Sequence, residues 1–166
     1  MSGSGAQQAA VITGSFLSGA MASLSIMAVP VFLDTTPEAP LLFTQWARMY
    51  HYGHQVLPTM AVGTLLLYAY TAVKRRGGSS QNPKQAKRSW GPIALAGLTT
   101  VVMIPFTWIF MVPTNNELFR LELVSRAEPA VKGLAEAKEL VVKWAWLHLA
   151  RSLFPLAGAV VGTVSA

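Results

Sequence analysis

Residues 9–33 have the sequence AAVITGSFLSGAMASLSIMAVPVFL, a run of 25 residues without a charged side chain. About 20 apolar residues are enough for a helix to cross the hydrocarbon core of a bilayer. The chain of 166 residues has a mean hydropathy of +0.43 and only 12% charged residues, whereas a soluble domain has about 25%. This composition excludes a disordered tail, a nucleic-acid-binding module and an ordinary cytosolic enzyme. It predicts an integral membrane protein whose surroundings are a lipid bilayer.

Three further apolar stretches predict three further spans. We expect the four spans at about residues 9–33, 41–73, 91–112 and 140–164. Helices satisfy their own backbone hydrogen bonds in lipid, so the predicted fold class is all-α, with residues 1–166 forming a single domain, an integral membrane four-helix bundle. Thr114 to Glu117 match a capping box, Ser/Thr-x-x-Glu, directly after Pro113. This motif predicts a short extra helix from about Asn115 to Ser125 in the third connection.

The basic residues predict the orientation of the spans. The net charge is +6, and six of the 13 basic residues lie in the second connection, residues 74–90, where Gly77 to Ser80 predict a flexible middle. The six are Lys74, Arg75, Arg76, Lys84, Lys87 and Arg88. The positive-inside rule places this connection and both termini in the cytoplasm, with the endoplasmic reticulum as the default host membrane. The chain has no cysteine, which excludes disulfides and thiol nucleophiles.

Polar and ionisable side chains are concentrated in one half of the predicted bundle. In the fourth span, Trp144, His148 and Arg151 are spaced i, i+4, i+7 and therefore share one helix face. The second span carries two neighbouring polar stripes, Arg48-His51-Gln55 and Trp46-Tyr50-His54, and the third ends at Asn115 and Asn116. We expect the stripes of the second and fourth spans to face each other across an apolar pocket. Its aromatic walls would be Phe106, Trp108 and Phe110.

Arg151 is the residue whose position most needs a ligand to explain it. It lies about 16 Å along the fourth span, where a charge costs about 3 kcal/mol unless it is paired or hydrated. The spans offer no carboxylate to pair with it, so an anionic ligand or intermediate is a natural partner. Simpler explanations stay open elsewhere: Arg48 could snorkel to the interface, and His51 and His54 could be solvated there.

All three histidines of the chain fall in this half of the bundle. Three imidazoles can form a metal site, and His51 and His54 have a workable ligand spacing. No carboxylate or cysteine accompanies them, which weakens the metal hypothesis. A general base with orienting groups explains the same residues, so both interpretations stay open.

Four segments carry a family resemblance. Residues 19–25, GAMASLS, and residues 29–35, VPVFLDT, are similar to the first span of the fungal anthrone oxygenases, small four-span membrane proteins long classed under a domain of unknown function. Val-Pro-Thr-Asn-Asn at residues 112–116 resembles that family's most recognisable motif. Trp-x-x-x-His-x-x-Arg at residues 144–151 resembles its last-span motif.

The resemblance implies an oxidoreductase, an anthrone monooxygenase that converts a polyketide anthrone to an anthraquinone with O2 in secondary metabolism. One O2 accepts all four electrons of this oxidation, so no organic cofactor is expected. The implied site has His148 or His51 as the base, Arg151 as the partner of an oxyanion, and Asn115 or Asn116 as the group that orients a carbonyl. A hydrophobic aromatic substrate would meet Tyr50, His54, Gln55, Trp108 and Trp144.

Other hypotheses stay open at this point. A copper or iron centre on His51, His54 and His148 would also activate O2. From different functional classes, a non-catalytic tetraspan scaffold or a small-molecule carrier would use the polar half-bundle for association or transport. A homo-oligomer is compatible with each of these functions, and nucleic acid is not an expected partner.

Overall fold

The computed structural model describes residues 3–77 and 89–165, and within these two ranges every regular element is a helix. Four long helical runs contain nearly all of them. Run α1 joins Gly3–Ser23, the π-helical turn Leu24–Ala28 and Val29–Thr35, and run α2 is Ala39–Gly77. Run α3 joins Gly91–Val101, Met103–Phe106, the π-helical turn Thr107–Met111 and Val112–Ala127. Run α4 is Leu134–Val164, and the short 3-10 turn Pro129–Val131 precedes it.

The predicted all-α membrane fold is confirmed. Each of the four runs contains a helix long and apolar enough to cross a membrane. Each predicted span lies within one run, and the runs continue beyond the predicted limits. The extra turns of α4, for example, contain Glu136 and Lys138, which are good helix formers although they are too polar for a span.

The extra helix predicted at about residues 115–125 is present within Val112–Ala127, but its predicted start is wrong. Thr114 is buried inside the helix instead of capping it, and Glu117 pairs with Arg120 at 2.8 Å. The helix continues because the π-helical turn Thr107–Met111 leads directly into it. Pro113 then falls in the first turn of the new segment, where a missing N–H is tolerated.

Two π-helical turns interrupt the α-helical geometry, and a proline follows each at the same distance. Pro30 comes two residues after Leu24–Ala28, and Pro113 comes two residues after Thr107–Met111. A proline ring collides with the carbonyl four residues before it, and one additional residue in the preceding turn relieves this collision. Turns of this kind occur frequently at functional sites.

Part of the basic connection lies outside the described residues. This applies to the predictions for Gly78 to Ser80 and for Lys84, Lys87 and Arg88. Arg75 is described, and it forms bonds inside the protein. Its Nη2 donates to Gln7 Oε1 at 2.6 Å and its Nη1 donates to the Ser165 carbonyl at 3.0 Å. Arg75 therefore connects the end of α2 to the start of α1 and the end of α4.

The chain forms two compact units, the first of which contains the described parts of Met1–Gly19, Pro58–Met103 and Ser152–Ala166. Glycine allows its helices to approach closely. A Cβ on Gly158 would lie 2.7 Å from the Ala96 carbonyl oxygen. The hydroxyl of Tyr68 donates to the Gly158 carbonyl at 3.2 Å, so its polar end is satisfied within this unit.

The second unit consists of Ala20–Leu57 and Ile104–Arg151 and contains all three histidines. Its core takes residues from all four runs. They include Val29, Leu42, Phe43, Trp46, Met111, Leu118, Leu121, Val141 and Trp144. Every candidate site residue predicted from the sequence belongs to this unit.

Candidate active site

His148 is the buried histidine of α4, with 2% of its surface exposed. Its ring stacks on Trp144, one turn earlier, with centroids 4.6 Å apart and planes inclined by 26°. Its Nδ1 lies 3.3 Å from the Ser25 hydroxyl. The backbone carbonyl of Met21 also lies near the ring. These contacts orient the imidazole, and no carboxylate in the described ranges pairs with it.

Arg151 lies one helical turn beyond His148. Its Nη1 donates to Thr107 Oγ1 at 2.9 Å, while its Nε is buried and has no hydrogen-bond partner among the described residues. None of the ion pairs in the described ranges includes this guanidinium. Tyr50 is close enough to interact with it electrostatically. An unsatisfied buried donor costs about 1–3 kcal/mol, so an acceptor atom of a ligand would stabilise the site.

Asn115 is the amide of the Pro-Thr-Asn-Asn motif that lies inside the unit. It is 4% exposed, and its Oδ1 accepts a hydrogen bond from Trp144 Nε1 at 3.0 Å. Because Oδ1 is occupied, the Nδ2 group is the part of the amide that can donate to a ligand oxygen. Asn116 is exposed, so the geometry favours Asn115 of the two predicted orienting groups.

An aromatic cluster packs beside these polar groups. Trp46 is fully buried and meets Trp144 edge to face, with centroids 5.9 Å apart. Phe119 lies 5.0 Å from both Trp46 and Tyr50. The Nε1 of Trp46 is buried without a partner in the described ranges, as is the Nε of Arg151. Buried donors are nearly always paired, so two unpaired ones in the same unit indicate a ligand that carries acceptor atoms.

The predicted inward facing of the stripe Arg48-His51-Gln55 is wrong, because all three side chains are exposed, and His54 of the neighbouring stripe is exposed as well. Helix geometry gives the reason. With Trp46 in the core, His51 is rotated from it by about 140° and Gln55 by about 180°. His54 stays at the edge of the aromatic cluster, where its ring stacks on Tyr50 at 5.5 Å. Of the two predicted bases, the geometry therefore favours His148.

Trp108 is likewise not a wall of an internal pocket, since 74% of its surface is exposed. It lies in the π-helical turn Thr107–Met111, whose additional residue changes the helix phase. The turn directs the Thr107 hydroxyl toward Arg151 and leaves Trp108 outside. Phe110 is also exposed, and Phe106 packs against it at 4.9 Å.

The three histidines do not come together. His148 contacts Ser25, whereas the Nδ1 of His54 bonds to the backbone carbonyl of His51 at 2.8 Å. Across residues 3–77 and 89–165, no three His, Asp or Glu side chains are arranged to hold a metal ion. The predicted alternative of a copper or iron centre on His51, His54 and His148 is therefore not formed by these three side chains.

Sequence reasoning missed Ser25, Thr107 and Trp46 as partners in the site. Ser25 and Thr107 are the hydroxyls that contact the fourth-span stripe, and both belong to π-helical turns. The prolines Pro30 and Pro113 were the available signal, because each comes two residues after such a turn. Trp46 lies on the predicted stripe Trp46-Tyr50-His54 but is not among the predicted site residues, since its burial depends on which face of α2 packs inward.

Sequence comparisons identify the family. A family model described as anthrone oxygenase matches residues 46–161. The chain belongs to the anthrone oxygenase family. It is 63% identical over 165 residues to anthrone oxygenase AgnL2 of Paecilomyces divaricatus, which covers 99% of this chain and 96% of that protein.

More distant relatives carry related names. The chain is 47% identical over 162 residues to anthrone oxygenase dmxR16 of Cryptosporiopsis sp., covering 95% of this chain and 86% of that protein. It is 43% identical over 156 residues to monooxygenase hypC of Dothistroma septosporum, covering 93% of this chain and 79% of that protein. No solved structure gives a significant match.

The match to the anthrone oxygenase family covers most of the candidate site. It begins at Trp46 and includes Asn115, His148 and Arg151, whereas Ser25 lies before the matched residues. The family resemblance inferred from the sequence motifs is thus confirmed.

Proposed function

We propose that this anthrone oxygenase converts a polyketide anthrone to an anthraquinone with O2 in secondary metabolism. The main structural support is Arg151, a half-buried arginine whose buried Nε has no hydrogen-bond partner and whose guanidinium has no ion-pair partner in the described ranges, one turn from the buried His148. Such an arrangement stabilises a negative charge that develops on a bound substrate. The names of the relatives agree with this reaction.

The first step is removal of a proton. The CH2 group of an anthrone is acidic because its anion delocalises into the opposite carbonyl, which gives an anthranolate. His148 accepts the proton as a neutral imidazole. Arg151 and the Nδ2 group of Asn115 donate to the oxygen that becomes anionic. The cluster of Trp46, Tyr50 and Phe119 offers flat apolar surfaces that suit a planar tricyclic anion.

The anthranolate then reacts with O2. It gives one electron to O2, and the two radicals combine into a peroxide on the former CH2 carbon. The peroxide takes up the proton held by His148, after which loss of the remaining C–H proton and cleavage of the O–O bond give the C=O group and water. O2 thus supplies one oxygen atom and accepts all four electrons, so this balance requires neither an outside reductant nor an organic cofactor.

The reaction is tested by supplying an anthrone and ¹⁸O2 to membranes that contain the protein. Membranes from cells with the empty vector measure spontaneous oxidation. We expect faster anthraquinone formation than in these control membranes, with one ¹⁸O atom from O2 in each product. A rate equal to that of the vector membranes contradicts the proposed function.

The absence of a required metal is part of the proposal. Treating the purified protein with a chelator should leave the turnover unchanged. Metal analysis of the same sample verifies that copper and iron are absent. Turnover that disappears on chelation and returns with copper or iron would replace this mechanism by a metal-dependent one.

We also propose that α2 ends on the cytoplasmic side of the endoplasmic reticulum membrane, as do both termini. Lys74, Arg75 and Arg76 at the end of α2 support this orientation. Because the chain has no cysteine, single cysteines report it cleanly. In sealed microsomes, an impermeant maleimide should label Arg76→Cys directly and Glu38→Cys only after permeabilisation.

Light scattering of the detergent-solubilised protein tests whether it forms a homo-oligomer.

A further inference from the structure

Each π-helical turn of the second unit supplies one hydroxyl to the stripe on α4. Ser25 in Leu24–Ala28 lies 3.3 Å from His148 Nδ1, and Thr107 in Thr107–Met111 accepts from Arg151 Nη1 at 2.9 Å. A π-helical turn changes the direction in which its side chains point, and such turns are rare and occur frequently at functional sites. Two of them directed at adjacent turns of one helix indicate that the positions of His148 and Arg151 are controlled.

The contacts of His148 determine which ring nitrogen carries the hydrogen. The Met21 carbonyl near the ring can only accept, so it favours a hydrogen on the ring nitrogen that faces it. Met21 precedes Ser25 by one turn of α1, so both oxygens approach the ring from the same helix. A hydrogen on Nδ1 can be donated to the Ser25 hydroxyl, and it leaves the lone pair of Nε2 available as a base.

We propose that Ser25 is a positioning residue that, with the Met21 carbonyl, keeps the hydrogen of His148 on Nδ1 and directs Nε2 toward the substrate. Ser25 acts through His148 and does not touch the substrate. The inference rests on the proposed function, in which the CH2 group of the anthrone gives its proton to His148. The tautomer itself can be measured without any substrate.

Nitrogen NMR measures the tautomer directly. Histidine labelled with ¹⁵N is introduced into the detergent-purified protein, and the His51→Gln and His54→Gln changes remove the two exposed rings. We expect a one-bond N–H signal on Nδ1 of His148 and a shift of the tautomer population toward Nε2 in Ser25→Ala. A hydrogen on Nε2 in the protein that retains Ser25 overturns the proposal.

Enzyme kinetics give the second test. Ser25→Ala should lower kcat about tenfold, equivalent to about 1.4 kcal/mol in the barrier, with KM nearly unchanged because substrate contacts remain. Ser25→Thr keeps a hydroxyl at this position and should recover most of the rate. Ser23→Ala is the matched control, since the Ser23 hydroxyl donates only to the Ala20 carbonyl of its own helix, at 2.8 Å.

The outcomes separate this inference from the proposed function. If the parent protein oxidises the anthrone and Ser25→Ala has the parent kcat, the positioning role is overturned while the reaction stands. A loss in Ser25→Ala that Ser25→Thr does not reverse also overturns it. If the parent protein does not oxidise the anthrone, the proposed function fails and the NMR signal of His148 still decides the tautomer.

Discussion

Replacing Arg151 with leucine should separate the stability of the protein from its chemistry. The guanidinium makes one hydrogen bond, to Thr107, and leaves its Nε unpaired in the described ranges. Losing that bond costs about 1 kcal/mol, whereas removing a charge from mid-depth in the membrane recovers about 3 kcal/mol. We therefore expect Arg151→Leu to be more stable than the parent by about 2 kcal/mol.

The same change should nearly abolish turnover. Removing one preorganised donor from a developing oxyanion lowers kcat by about 10²–10³-fold, and Arg151 also contributes a full positive charge. A loss of about 10³-fold is therefore expected. Arg151→Lys keeps the charge but loses the planar set of donors, so its rate should lie between those of the parent and the leucine variant.

The assay compares initial rates of anthraquinone formation in membranes that contain equal amounts of each variant. Thermal unfolding of the detergent-purified proteins is measured in parallel. Arg48→Leu is the matched control, because Arg48 is an exposed arginine of α2, and it should keep the parent rate. A rate for Arg151→Leu within about threefold of the parent, a difference of less than 1 kcal/mol in the barrier, would refute the role of Arg151 as oxyanion partner. A lower unfolding temperature would instead identify Arg151 as a structural residue.

Three further predictions concern the amide, the exposed histidine and the glycine contact. Asn115→Ala should lower kcat about 10²-fold and Asn116→Ala should not, because only Asn115 is buried; equal rates for the two variants contradict this assignment. His51→Gln should keep the parent rate at all pH values tested, and a changed pH profile would restore His51 as a candidate base. Gly158→Ala should destabilise the protein by about 1–3 kcal/mol in thermal unfolding, since its Cβ would meet the Ala96 carbonyl. The matched change Gly63→Ala meets nothing within 4 Å and should be neutral or slightly stabilising.

The stripe on α4 could be predicted from the sequence because it depends on one regular helix. Trp144, His148 and Arg151 are spaced i, i+4, i+7, and the ring of His148 indeed stacks on Trp144. The lack of an acidic partner for Arg151 also followed from the sequence, since none of the carboxylates lies inside a predicted span. These properties are local, so they do not depend on how the helices pack.

The residues opposite the stripe could not be predicted with the same success. The spacing in α2 showed two possible inward faces, and packing against Phe119 and Trp144 favours the one with Trp46 and Tyr50. In α3, the π-helical turn Thr107–Met111 adds a residue to the helix, and Trp108 lies exposed within it. Hydrophobic periodicity carries no information about such an insertion, although a proline inside an apolar span warns that the helix is irregular.

Two arginines of this chain show how a structural and a functional cation differ. Arg75 donates to Gln7 Oε1 and to the carbonyl of Ser165, so its donors hold elements of the first unit together. Arg151 makes one bond to a hydroxyl, and its Nε and the indole N–H of Trp46 remain unpaired in the described ranges. A protein could remove this cost by placing leucine at position 151. The cost is understandable if the missing acceptor is the oxygen of a transient anion, because donors already satisfied by the protein would have to be released before they could stabilise it.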